Sequence, residues 1–208
     1  VVLGDSTAQG IGAPAWDEGY VGQLLRALDA GSQGRWRVLN LSRSGARAAD
    51  VLDRQLPALE GLAGVRATQA GHGVPATQAG HGVPATQAGR PDLVTCAIGA
   101  NDIVRRTPLP VLADQLRRIL GRLPPGAVMA TLPQGLNASR TDAANRVIRE
   151  EAPRAGVLVA DVWARTGPPW RGKFAADNFH PGALGYADWA AAFADVLPAA
   201  LWTGPDPS

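Results

Sequence analysis

A single cysteine, Cys96, excludes an intrachain disulfide. It lies in the apolar run Leu93 to Ile98 and reads as a small buried hydrophobe. Histidine is nearly as scarce, with three residues in the chain. No stretch reaches the roughly 18 consecutive apolar residues of a membrane span, which argues against stable membrane insertion. An excess of one charge sign is lacking too. Lys plus Arg number 20 and Asp plus Glu 18, a formal net charge of +2. So weak a field gives no argument for nucleic acid or an anionic membrane as partner. No signal peptide is visible, which favours a cytoplasmic location. The chain nevertheless opens on the strand-like Val1-Val2-Leu3, and a secreted protein that has lost an upstream leader fits as well.

What is present is enough for a core. Apolar residues make up 46% of 208 positions, the size and composition of one α/β domain, expected over residues 1–202 with a loose tail at 203–208. Short apolar runs alternate with helical spacings. Strands are expected at Val1 to Leu3, Trp36 to Leu41, Leu93 to Ile98, Ala127 to Leu132 and Val157 to Val162. Helices are expected around Val21 to Leu28 with Asp17 as N-cap, and at Ala46 to Leu59 with a kink or stop at Pro57. Three more follow at Val111 to Leu120, Thr141 to Ala152 and Ala183 to Leu197. This alternation implies a doubly wound parallel sheet of five strands with helices on both faces. Ligands of such sheets bind beyond the carboxyl ends of the strands.

One segment is foreign to the pattern. Ala67 to Pro75 repeats without change at Ala76 to Pro84, and a partial copy runs from Ala85 to Gly89. The nine-residue unit has too few apolar residues for a solenoid core, and its two histidines have no neighbouring carboxylate or thiol for a metal site. It reads as an inserted loop of no function, entering the third strand at its amino end.

Removing the two repeat histidines leaves His180 as the candidate catalytic base. Ser6, in Gly4-Asp5-Ser6 just after the first strand, is the candidate nucleophile, since a serine hydroxyl needs a base to take its proton. Asp177, three residues before His180, can reach its Nδ1 and fix the tautomer. Candidate oxyanion donors are the Ser6 N–H, the N–H of Gly45 and the side-chain amide of Asn101 in Gly99-Ala100-Asn101-Asp102. Asp5 and Asp102 are assigned loop hydrogen bonds.

Taken in order, four blocks resemble those of the SGNH/GDSL hydrolase family: Gly4-Asp5-Ser6, Asn40 to Gly45, Gly99 to Asp102, and Asp177 to His180 followed by Pro181. The resemblance implies a flavodoxin-like three-layer α/β/α fold. It also implies esterase or lipase activity on a small-molecule ester with no metal or other cofactor, and the roles just given to Ser6, Gly45, Asn101, Asp177 and His180. The glycine block departs from the family at Ser42-Arg43, so Arg43 and Arg47 are candidates for shaping substrate preference.

Other readings stand beside these. Singly, a Ser after Asp is a turn or cap residue and a His before Pro a loop residue. Trp16, Trp163, Trp170 and Phe174 fit core packing or the wall of an acyl or alcohol pocket. Gly10-Ile11-Gly12 loosely matches a dinucleotide-binding turn, but it lies away from the strand end. A non-catalytic ligand-binding domain on the same fold is the rival from another class. Within the ester hydrolases, short acyl chains are expected because no long apolar lid is evident, with acetylated sugars, thioesters and lysophospholipids as alternatives.

Overall fold

The structure is a computed structural model that describes residues 1–32, 36–68 and 91–202. Four parallel strands form the sheet among the described residues: β1 (Val2–Gly4), β2 (Thr95–Ala97), β3 (Val128–Ala130) and β4 (Leu158–Ala160), paired in that order. The second expected strand, Trp36 to Leu41, is not one. It meets β1 at a single parallel bridge between Asn40 and Val2. Counting that bridge, the lateral order by sequence is 2-1-3-4-5, the flavodoxin-like arrangement.

Successive strand residues point to opposite faces, so each strand feeds two cores. Leu3, Cys96 and Met129 point into one, with Val51, Leu56, Leu116 and Ile148. Val2, Ala97, Val128 and Ala130 point into the other, where Tyr20 stacks on Phe193 with centroids 5.0 Å apart. The first face is covered by α2 (Ala48–Asp50), a π-helical turn (Val51–Gln55), α3 (Leu56–Thr68), α5 (Leu109–Leu120) and α6 (Ala138–Glu151); the second by α1 (Tyr20–Ser32) and α8 (Ala183–Ala194). Two short helices, α4 (Ala100–Val104) and α7 (Val162–Arg165), follow β2 and β4. No helix of the described residues is long and apolar enough to cross a membrane.

Three local expectations are corrected. Asp17 does not cap α1: it lies in a short 3-10 turn, Trp16–Glu18, and its carboxylate pairs with Arg26. Pro57 neither ends nor breaks its helix, which continues to Thr68. The π turn lies immediately before it, and wider hydrogen bonding there accommodates a ring that would press on the Asp53 carbonyl in a regular helix. The first two residues of the repeat, Ala67 and Thr68, are helical. The remainder of the repeat and the tail at 203–208 lie outside the described residues.

Candidate active site

Three candidate blocks leave the carboxyl end of a strand or of the bridging segment, and the fourth, Asp177 to His180, lies in the loop after α7. After Gly4 the chain turns sharply through Asp5 to Gly10. Gly4 has a φ of 146°, and a Cβ there would stand 2.4 Å from the Ala97 carbonyl oxygen, so only glycine lets β1 end this close to β2. Ser6 is buried, and its N–H donates to no group among the described residues. The Gly45 N–H likewise donates to no group among the described residues, in a turn with a φ of 74°. Asn101 stands in the first turn of α4, which Gly99 opens in a left-handed conformation.

The His180 loop is held from both sides. Ala175 N–H donates to the His180 carbonyl and Gly182 N–H to that of Lys173, around an antiparallel bridge between Phe174 and Pro181. Gly12 packs against it: a Cβ there would stand 2.7 Å from that of His180. Tyr186 Oη donates to the Ile11 carbonyl at 2.6 Å, tying the turn that carries Gly12 to α8. Gly12 therefore lies in a turn that backs the histidine loop, eight residues before α1 begins, whereas Gly10 packs on Gly19. Sequence reasoning missed this role, since nothing in the spacing says which loop a glycine turn will meet.

The structure brings Ser6 and His180 together across 174 positions of sequence. Nε2 of His180 lies 3.0 Å from Ser6 Oγ, and Nδ1 lies 2.6 Å from Asp177 Oδ2. Because a carboxylate only accepts, the proton belongs on Nδ1, which leaves Nε2 free to accept from the serine hydroxyl. Asp177 Oδ1 accepts from the N–H groups of Phe179 and His180 at 3.0 and 2.9 Å. These bonds, the imidazole bond above all, hold the Asp177 carboxyl down at about 2. The arrangement can pass a proton from Ser6 to His180 while Asp177 stabilises the imidazolium.

The floor beneath Ser6 is cross-bonded. Asp5 Oδ1 accepts from the Thr7 N–H and hydroxyl, and its other oxygen from Asn101 Nδ2 at 3.3 Å. Burial pushes the Asp5 carboxyl above its ordinary range. Asn101 Nδ2 also donates to the Ala46 carbonyl at 3.0 Å. Asp102 Oδ2 accepts from the Ala48 N–H at 2.9 Å, and Oδ1 from the Thr107 hydroxyl. Asp5, Asn101 and Asp102 thus connect three blocks. A further residue escaped sequence reasoning. Gln55, buried in the π turn, accepts from the Gly4 N–H and donates to the Gly4 carbonyl, both at 2.8 Å.

Ser6, Asn101 and His180 line one cavity of about 440 Å³; Gly45 is not in its lining. Arg105 reaches within 3.8 Å of the point where a Gly45 Cβ would stand. Trp170 and Phe174, tilted with ring centroids 5.6 Å apart, form part of the wall with Leu136, whereas Trp16 and Trp163 do not line it. Arg43 and Arg47 are exposed. Among the described residues, no three His, Cys, Asp or Glu side chains form a cluster suited to a metal ion.

A family model described as GDSL-like lipase/acylhydrolase matches residues 2–187. Solved structures share the fold. TesA is 22% identical with a TM-score of 0.65, covering 93% of this chain and 94% of its own. A lipase/acylhydrolase from Enterococcus faecalis is 20% identical with a TM-score of 0.64, covering 93% and 92%. A family 3 carbohydrate esterase from Clostridium thermocellum is 16% identical with a TM-score of 0.64, covering 94% and 92%. No curated protein matches the sequence. The extent of the family match, over a fold that these hydrolases share, establishes that the chain belongs to the GDSL-like lipase/acylhydrolase family and is a serine ester hydrolase.

Proposed function

We propose that the protein hydrolyses carboxylic esters through an acyl-enzyme on Ser6. The observation that carries this reading is the continuous relay from Ser6 Oγ through His180 to Asp177, at 3.0 and 2.6 Å. Ser6 attacks the ester carbonyl as His180 takes its proton. The oxyanion forms against the unbonded N–H groups of Ser6 and Gly45, with the Asn101 amide turning from Ala46 and Asp5 toward it. His180 then protonates the leaving alcohol. In the second step it activates water, which releases the acid and restores Ser6.

The acyl group is short. The cavity is open along the wall of Trp170 and Phe174, and a moderate volume of about 440 Å³ has to serve both acyl and alcohol. Residues 1–202 form the catalytic domain. The test is a chain-length series of chromogenic esters with the parent, Ser6→Ala and His180→Ala. Turnover should be highest for acetate to butyrate and fall by about 10⁴-fold in either variant. A rate that climbs steadily to long chains would overturn the short-chain reading, and an active Ser6→Ala would overturn the mechanism.

A further inference from the structure

Two departures from regular geometry meet at Gln55. The segment beside β1 leaves the sheet after one bridge, and the helix behind it widens into a π turn that Gln55 closes. Val2 N–H donates to the Leu39 carbonyl and Leu41 N–H to that of Val2, as a parallel bridge requires. Continuing the ladder would take two more bonds: Gly4 N–H to the Leu41 carbonyl, and Arg43 N–H to that of Gly4. The second exists, at 3.1 Å. The first does not, because Gly4 N–H donates to Gln55 Oε1 instead. The side-chain amide replaces half of the next rung, the pairing of Gly4 with Ser42, so the parallel contact goes no further than the Val2–Asn40 bridge.

Gln55 is 4% exposed, and both ends of its amide are used on Gly4. Gly4 is pinned on its other side by the close approach to Ala97. Its carbonyl accepts from Gln55 Nε2 and from Arg43 N–H together. Arg43 in turn accepts from Ala46 N–H, which closes the turn carrying Gly45. One amide therefore grips the joint from which both unbonded N–H groups, those of Ser6 and Gly45, project. The π turn makes this possible, since one residue more or less in a helix rotates a side chain by about 100°.

We propose that Gln55 is a positioning residue for acyl transfer, holding the Leu41 carbonyl off Gly4 N–H at the base of the Arg43–Ala46 turn and so setting the separation of the Ser6 and Gly45 N–H groups. This rests on Ser6 being the nucleophile. An apolar side chain at 55 frees Gly4 N–H to complete the rung with Leu41, and the gap between the two donors closes.

The test compares parent, Gln55→Leu and Gln55→Glu in steady-state ester hydrolysis and in inhibition by an alkyl trifluoromethyl ketone, with thermal unfolding as the control for folding. In Gln55→Leu, kcat should fall by about 10- to 100-fold, with KM within about threefold and ketone affinity falling alongside kcat/KM, because one oxyanion donor contributes up to about 10²–10³. A protonated carboxyl offers the same donor and acceptor as the amide, whereas a carboxylate lacks the donor. The activity of Gln55→Glu relative to parent should therefore rise as pH falls from about 8 to about 5, since burial raises a carboxyl's pKa. Packing alone would not produce that dependence. Kinetics and ketone affinity of Gln55→Leu within twofold of parent would overturn the proposal. If that variant does not fold, a Gln55→Glu ratio that stays flat with pH overturns it instead. Full turnover in Ser6→Ala would remove the underlying mechanism, whereas a Ser6-dependent parent with an unaffected Gln55→Leu removes only the positioning role.

Discussion

The strand-end loops beneath Ser6 and the segment from Gly167 to His180 border the same cavity but are held very differently. Asp5, Ser6 and Asp102 are 2%, 5% and 1% exposed, and carboxylates, amides and backbone groups bond one block to the next. Across the cavity, Trp170, Phe174 and Phe179 are 37%, 39% and 47% exposed. The chemistry requires atoms fixed to a fraction of an ångström, so its supports are buried and over-determined. The apolar wall only has to accept part of an ester, and exposed aromatics can do so with few bonds. His180 belongs to the second segment by sequence and is tied to the first through Ser6 and Gly12, while Asp177 and the bridge at Phe174 and Pro181 fix it within its own loop.

Substitutions that break the fixed side should cost the most. Asp177→Asn should lower kcat by about 10²–10⁴-fold with little change in KM, since the amide permits the wrong imidazole tautomer. The parent carboxyl is depressed to about 2, so it is ionised throughout the working range. Its contribution to stability is present above the ordinary carboxylate range and fades only as pH falls through about 2. The deficit of Asp177→Asn should therefore be full at about pH 8, where the carboxylate is ionised and the base is free. Rate profiles of both proteins check this, and a variant rate close to that of the parent at about pH 8 would count against it.

Asp102→Ala should act on stability first. It strips the acceptor from the Ala48 N–H and the Thr107 hydroxyl, at about 2–4 kcal/mol. For a chain of this size, calorimetry should record a Tm lower by about 5–12 °C. Trp170→Ala, on the open wall, should leave Tm within about 2 °C and raise KM a few-fold for esters with larger apolar groups, leaving kcat for the acetate near the parent value. The smallest effect is expected at the mouth. Arg105 and Arg106 form no ion pair among the described residues. Changing both to Gln should reduce kcat/KM for a succinate half-ester relative to the neutral butyrate by about threefold at low salt, a difference that about 0.5 M NaCl erases.

How much of this was legible follows the same division. The βαβ alternation could be read because buried parallel strands leave continuous apolar runs, as at Leu93 to Ile98. Ser6 and His180 could be read because histidine is so scarce outside the repeat. Trp36 to Leu41 has the composition of a strand, yet it meets β1 only where Asn40 stands opposite Val2, and the Gln55 amide takes the N–H of the next rung. Gln55 itself looks like any polar residue in a helix, since a π turn has no apolar period of its own. Of four aromatics weighed for the pocket wall, only Trp170 and Phe174 reach it, because tertiary packing rather than proximity in sequence selects them.

The most direct test of the acyl-enzyme is covalent. The parent should react with a fluorophosphonate, lose esterase activity in proportion, and yield a single modified peptide carrying the adduct on Ser6, while Ser6→Ala stays unlabelled and inactive. Labelling of another residue, or ester hydrolysis retained by Ser6→Ala, would contradict the account.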